Sequence, residues 1–183
     1  MAYPSKIVTN PITGQSIKFI QTSRDTQGLL LEMESTYQPH STEPMPHFHP
    51  QQEEHFKVLS GSVSVRLNGD LKVLNAGDTL TIFPNQVHSM WNHSKEKTVL
   101  NWQVRPALDT EYFLEMGMGL AQAGKVKADG MPNLLQSVVL VTRFKNVYRL
   151  AKPGPIVQKI VFSILAPFAR LIGYRAIYRE YLD

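Results

Sequence analysis

His47 and His49 are separated by one residue, Phe48, and Glu54 follows them after the polar turn Pro50-Gln51-Gln52. Alternate side chains of a β-strand leave the same face, so the two imidazoles are expected to point together. Imidazole nitrogens and carboxylate oxygens are the donors that hold a divalent metal of borderline hardness. His88 stands further along, in Phe83-Pro84-Asn85-Gln86-Val87-His88, and can supply one more ligand. If His47, His49, Glu54 and His88 converge, they suit one divalent transition metal per chain, with Fe, Mn, Ni, Co, Cu and Zn all compatible. Four such ligands in an octahedral sphere leave positions open for water, substrate or O2, which separates a catalytic or binding site from a structural one. Glu54 is then also the candidate catalytic group, shifting between ligand and base. Alternation turns His55, beside Glu54, and His93, beside Asn92, to the opposite faces, and His40 lies in a loop.

The elements that must position these residues are strands. The chain alternates apolar and polar residues near 17–22, 29–37, 62–67, 71–74, 79–83, 87–92 and 97–105, with Phe56 and Val58 between. Asn68-Gly69 between two such runs signals a tight hairpin. Many short strands with frequent turns predict a sandwich or barrel. In such a barrel Glu54, Phe56 and Val58 share one face, as do His88, Met90 and Asn92. Met33, Phe56, Met90 and either Trp102 or Gln103 are the candidates for a substrate pocket wall; Trp102 and Gln103 are neighbours on one strand and cannot both face inward. Helical spacing begins with residues 110–123. A second helix after Asn133 shows Leu134, Leu135, Val138 and Val139 on one side, and a third runs from Ile156 to Ile172. Pro167 is expected to kink or split the third.

The two histidine stretches, 45–61 and 77–92, resemble the paired motifs of the cupin superfamily, HxH(x)3-4E(x)6G and G(x)5PxG(x)2H(x)3N. The likeness covers roughly residues 15–105. Ser41, Phe83 and Asn85 depart from it at positions that shape turns, whereas the ligand positions are intact. The resemblance implies a mainly β fold, a double-stranded β-helix or jelly-roll barrel, with the metal held by His47, His49, Glu54 and His88. The six residues between Glu54 and Gly61 favour Glu54 over Glu53 as the carboxylate. It also implies a homodimer. The expected organisation is a barrel domain over 1–108 and a helical, basic C-terminal extension over 109–183 that packs on the barrel or on a dimer partner.

Composition narrows the function classes. The 183 residues contain no cysteine, which excludes disulfides and thiolate metal sites. No apolar run is long enough to span a bilayer and no secretory signal opens the chain, so a cytoplasmic protein is expected. Residues 1–124 carry nine Lys/Arg against twelve Asp/Glu, a net of −3, and residues 125–183 carry ten against three, a net of +7. The basic residues of the extension are spread among apolar ones without a nucleic-acid motif, so no nucleic-acid partner is expected. Residues 156–179 could lie on a membrane surface, but packing of their apolar face on protein is favoured. Three functions fit this pattern. The first is a metalloenzyme of oxygenase type acting on a small molecule. The second is a metal-dependent isomerase or epimerase of a sugar or keto acid. The third is a non-catalytic small-ligand-binding module with a membrane-surface tail.

Overall fold

Period-two alternation and closely spaced turns build eleven strands in the computed structural model, which describes residues 1–182. In chain order they are β1 (Ile7–Thr9), β2 (Ser16–Gln21), β3 (Leu31–Tyr37), β4 (His47–Phe48), β5 (Glu53–Ser60), β6 (Ser62–Leu67), β7 (Asp70–Asn75), β8 (Thr79–Ile82), β9 (His88–Trp91) and β10 (Thr98–Arg105). The helices α1 (Thr110–Gln122) and α2 (Leu134–Arg143) follow, then the short β11 (Arg149–Leu150) and α3 (Pro155–Leu171). One sheet runs β1-β2-β3-β10-β5-β8 and the other β11-β4-β9-β6-β7, with antiparallel pairings throughout. This is the double-stranded β-helix with C-terminal helices that the motifs imply.

The two sheets close on a shared core. Phe56, Val58, Ile82 and Leu100 of the first sheet meet Val63, Val65 and Met90 of the second. Farther along the inner face of the first sheet, Ile17, Phe19, Leu31, Met33 and Val104 pack with Met118 and Leu114 of α1. Burial of a large apolar side chain contributes roughly 1.5–3 kcal/mol, so these clusters hold the barrel together. Gln52 fixes α1 to it: the buried amide donates to the Pro106 and Ala107 carbonyls and to Thr110 Oγ1. Asn68 (φ 51°) and Gly69 (φ 100°) form the β6–β7 turn, the left-handed pair that a tight hairpin demands. Gly61 (φ 74°) closes the first motif where a Cβ would stand 2.5 Å from the Lys97 carbonyl oxygen.

Several local expectations differ from the structure. Leu29 precedes β3 and is exposed, so the inward set on that strand is Leu31, Met33 and Ser35. Asn133 does cap α2, accepting from the Gln136 amide at 3.0 Å, but Leu134 points outward. Pro167 does not split α3, which is continuous from Pro155 to Leu171. The strands β1 and β11 carry too little periodicity of their own to be read from sequence.

Candidate metal centre

Cross-strand register brings the histidines together. His47 of β4 is the direct partner of His88 of β9. His49 lies just past the end of β4, and its carbonyl accepts the Asn85 amide at 2.9 Å. Asn85 sits at φ 66°, the left-handed conformation for which the second motif has a glycine; Asn is among the few other residues that tolerate it. One ligand nitrogen from each of His47, His49 and His88 lies within 4.8 Å of the other two. Glu54 reaches in from β5, its Oε2 standing 3.2 Å from His49 Nε2 and 3.0 Å from His88 Nε2. Glu53, next to it, is on the other face of the strand.

The outer ring nitrogens determine what the inner ones can do. Nδ1 of His47 contacts the Met45 carbonyl at 3.2 Å, Nδ1 of His88 contacts the Gln86 carbonyl at 3.0 Å, and Nδ1 of His49 contacts the Val147 carbonyl. A carbonyl only accepts, so each Nδ1 carries the proton and each neutral ring presents a lone pair at Nε2. Buried His49 Nε2 and Glu54 Oε2 have no hydrogen-bond partner among the described residues. Lone pairs therefore face one another at contact distance in a buried site, an arrangement that a bound cation would relieve. The His47, His49 and His88 group can hold a metal ion, and Glu54 is placed to complete the set. Backbone carbonyls behind ligating imidazoles are the usual device for orienting them.

Electrostatics agree with this. Burial lowers the His47 pKa to about 3, with the neighbouring His88 and His49 adding to the effect, so His47 stays neutral. Burial opposes charge on Glu54, but His49 and His88 outweigh it and hold the carboxyl well below its usual range. Burial likewise opposes charge on His49, yet Glu54 and the Val147 carbonyl win and raise its pKa. Glu54 thus favours protonation of His49, and metal binding competes with that proton.

The group lies against a cavity of about 300 Å³ with mostly apolar walls. Phe56, Met90 and Trp102 line it. Trp102 is the inward member of its pair: its indole Nε1 donates to Glu54 Oε1 at 3.0 Å and its ring stacks on Phe56. Gln103 faces the other way and donates to Glu32. Met33 is not on the cavity wall, because Phe19, Leu31 and Met118 enclose it in the core. His55 and His93 turn to Thr81 and Ser64, away from the group. The sequence did not disclose the roof. Helices α1 and α2 cover the cavity with Phe113, Leu114, Met118 and Leu140, and the segment before β11 adds Val147 and Tyr148. Tyr148 stacks on His47 with ring centroids 4.7 Å apart, and β11 pairs with β4. Burial pushes the Tyr148 phenol above its usual range, so it remains a hydrogen-bond donor. Tyr37, also on the cavity, is pushed up to about 12 by burial, with the Glu54 charge adding to it.

Fold and site together describe a β-barrel with an inward histidine group that can hold a metal, and comparison with known proteins places its central stretch. Residues 33–104, within the barrel, match the cupin domain family. An oxidoreductase of Arthrobotrys oligospora is 38% identical over 55 residues, 30% of this chain and 22% of that protein. The matched stretch thus spans about a fifth of the relative's length. A conserved protein with a double-stranded β-helix domain from Klebsiella pneumoniae is 24% identical, covering 50% of this chain and 76% of that one, at a TM-score of 0.44. An RmlC-like cupin from Shewanella frigidimarina is 17% identical, covering 61% and 94%, at a TM-score of 0.49.

Proposed function

We propose that this cupin is a metal-dependent oxidoreductase of oxygenase type that acts on a small, largely apolar molecule. The observation that carries the reading is the set of inward lone pairs from His47, His49, His88 and Glu54 at an apolar cavity of about 300 Å³. The ion itself supplies Lewis acidity or a redox centre when bound. The protein's part is to orient and to exclude water. Trp102 fixes the carboxylate, backbone carbonyls fix the three rings, and Phe113, Leu140 and Tyr148 close the cavity from above. A protonated Tyr148 beside His47 offers a hydrogen bond to an oxygen of the substrate. Four protein ligands leave two positions of an octahedral sphere for exogenous groups. The partial likeness to a fungal oxidoreductase favours redox chemistry.

The test is oxygen consumption by iron-, manganese-, nickel- or copper-loaded protein across a panel of small aromatic and aliphatic alcohols, diketones and acids. Metal-dependent oxygen uptake that is lost in His49→Ala is expected. Turnover that continues under anaerobic conditions would overturn the oxygenase reading and assign the site to isomerisation.

A further inference from the structure

The third helix keeps its larger apolar face uncovered. Gln158, Ala166 and Ala169 are its buried residues, and α2 is the element it packs on. Ile156, Val157, Ile160, Ile164, Phe168 and Leu171 stand out from the protein, with Ile156 75%, Ile164 65% and Leu171 85% exposed. Of the two expected coverings, the barrel and a dimer partner, the barrel does not take this face: short and polar side chains make the contact and the large aliphatic ones look outward. At 3.6 residues per turn the six outward residues fall within an arc of about 120°, and Lys159 and Arg170 lie together beyond one edge of it. A continuous apolar stripe of this kind on a protein surface marks a contact site.

Charge indicates the partner. Residues 130–179 contain eight Lys/Arg and no Asp/Glu. Only one of the eight, Arg143, forms an ion pair among the described residues, with Asp109. The rest are Lys145, Arg149, Lys152, Lys159, Arg170, Arg175 and Arg179. We propose that α3 docks this protein on an anionic phospholipid bilayer, lying in the plane of the headgroups with its Ile/Leu/Phe stripe in the acyl boundary. Among the described residues no helix is long and apolar enough to cross a membrane, so the contact is with the surface. A second copy docked face to face fits less well, because it would bring two such stretches together, eight Lys/Arg on each and no acidic residue within 130–179. Anionic headgroups supply the missing sign, each nearby Lys or Arg contributing to the attraction.

Flotation of the full-length protein with phosphatidylcholine vesicles, with and without phosphatidylserine, tests this directly at physiological salt. The protein is expected to float with the phosphatidylserine vesicles and to be released by high salt. Ile160→Glu with Ile164→Glu removes the apolar contact, and Lys159→Glu with Arg170→Glu is expected to weaken partition at least about 30-fold. All four side chains point outward or border the stripe, so far-UV and near-UV circular dichroism should be unchanged in both variants. Sedimentation velocity reads the rival occupant. No flotation with either vesicle would overturn the proposal. So would a wild-type dimer that Ile160→Glu with Ile164→Glu dissociates while vesicle binding is absent. Neither readout depends on the metal or on turnover.

Discussion

Glu54→Gln separates metal ligation from folding. In the native site Glu54 Oε1 accepts from Trp102 Nε1 at 3.0 Å, while Oε2 faces His49 and His88 Nε2 at 3.2 and 3.0 Å. A glutamine keeps an acceptor for Trp102 and turns two N–H donors toward the imidazole lone pairs. Each such bond contributes about 1 kcal/mol, which offsets loss of the Glu54 attraction that raises the His49 pKa, so the metal-free variant should match wild type within ~1 kcal/mol. With metal the outcome differs. Free metal at a hundred times the dissociation constant stabilises the wild type by ~2.7 kcal/mol. Loss of a coordinating group that weakens affinity about 100-fold leaves the variant with only ~0.4 kcal/mol at the same concentration. For a chain of this size 1 kcal/mol moves Tm by roughly 2–4 °C, so a wild-type metal shift of about 5–11 °C should shrink to under about 2 °C. Thermal unfolding followed by circular dichroism, with chelator and then with metal, reads both numbers. An undiminished metal shift would show that the carboxylate takes no part. Collapse of the metal-free variant would show that Glu54 is a structural partner of the histidines and not a ligand.

Trp102→Phe keeps the stack on Phe56 but leaves Glu54 Oε1 without its donor, so it should weaken metal binding about 10–100-fold in a competition titration while the far-UV spectrum is unchanged. Gly61→Ala places a Cβ 2.5 Å from the Lys97 carbonyl in a left-handed turn and should cost roughly 1–3 kcal/mol in urea unfolding; a neutral result would contradict the turn geometry. Metal-free protein should be most stable near pH 6.5. Below that value His47, held to a pKa of about 3 in the folded state, is protonated only in the unfolded chain, so stability falls by up to about 1.4 kcal/mol per pH unit. Glu54, with its pKa lowered by folding, adds to the loss as pH drops through the folded value. His49, with its pKa raised, contributes stability below the unfolded value that is lost as pH rises through the folded one. Urea titrations in chelator from acid to mildly alkaline pH check this, and a profile flat on the acid side would refute the His47 assignment.

What could be read from the sequence was whatever a short stretch encodes by itself. His47, His49 and Glu54 lie within eight residues on strand-like pattern, and Asn68-Gly69 dictates its own turn. The choice between Trp102 and Gln103 was not local: it depends on β10 pairing with β5, which sets Trp102 opposite Phe56 and turns its indole to Glu54. Met33 was expected on the pocket wall; it does face inward, but α1 fills the space beyond it with Met118 and Leu114. Val147 and Tyr148 reach the histidines across about a hundred residues, and no periodicity near them announces β11. The spacing of α3 foretold a helix with an apolar side, yet the side that meets α2 was chosen by small residues, Ala166 and Ala169, which pattern reading passes over.

The central claim is a metal ion held jointly by His47, His49, His88 and Glu54. Elemental analysis of untagged protein, after exposure to each divalent metal and removal of excess, tests it most directly when wild type and His88→Ala are measured side by side. The account requires about one equivalent of a transition metal per wild-type chain and a sharp loss in the variant. Wild-type protein that neither carries nor takes up metal, or a variant that retains the same content, would contradict it.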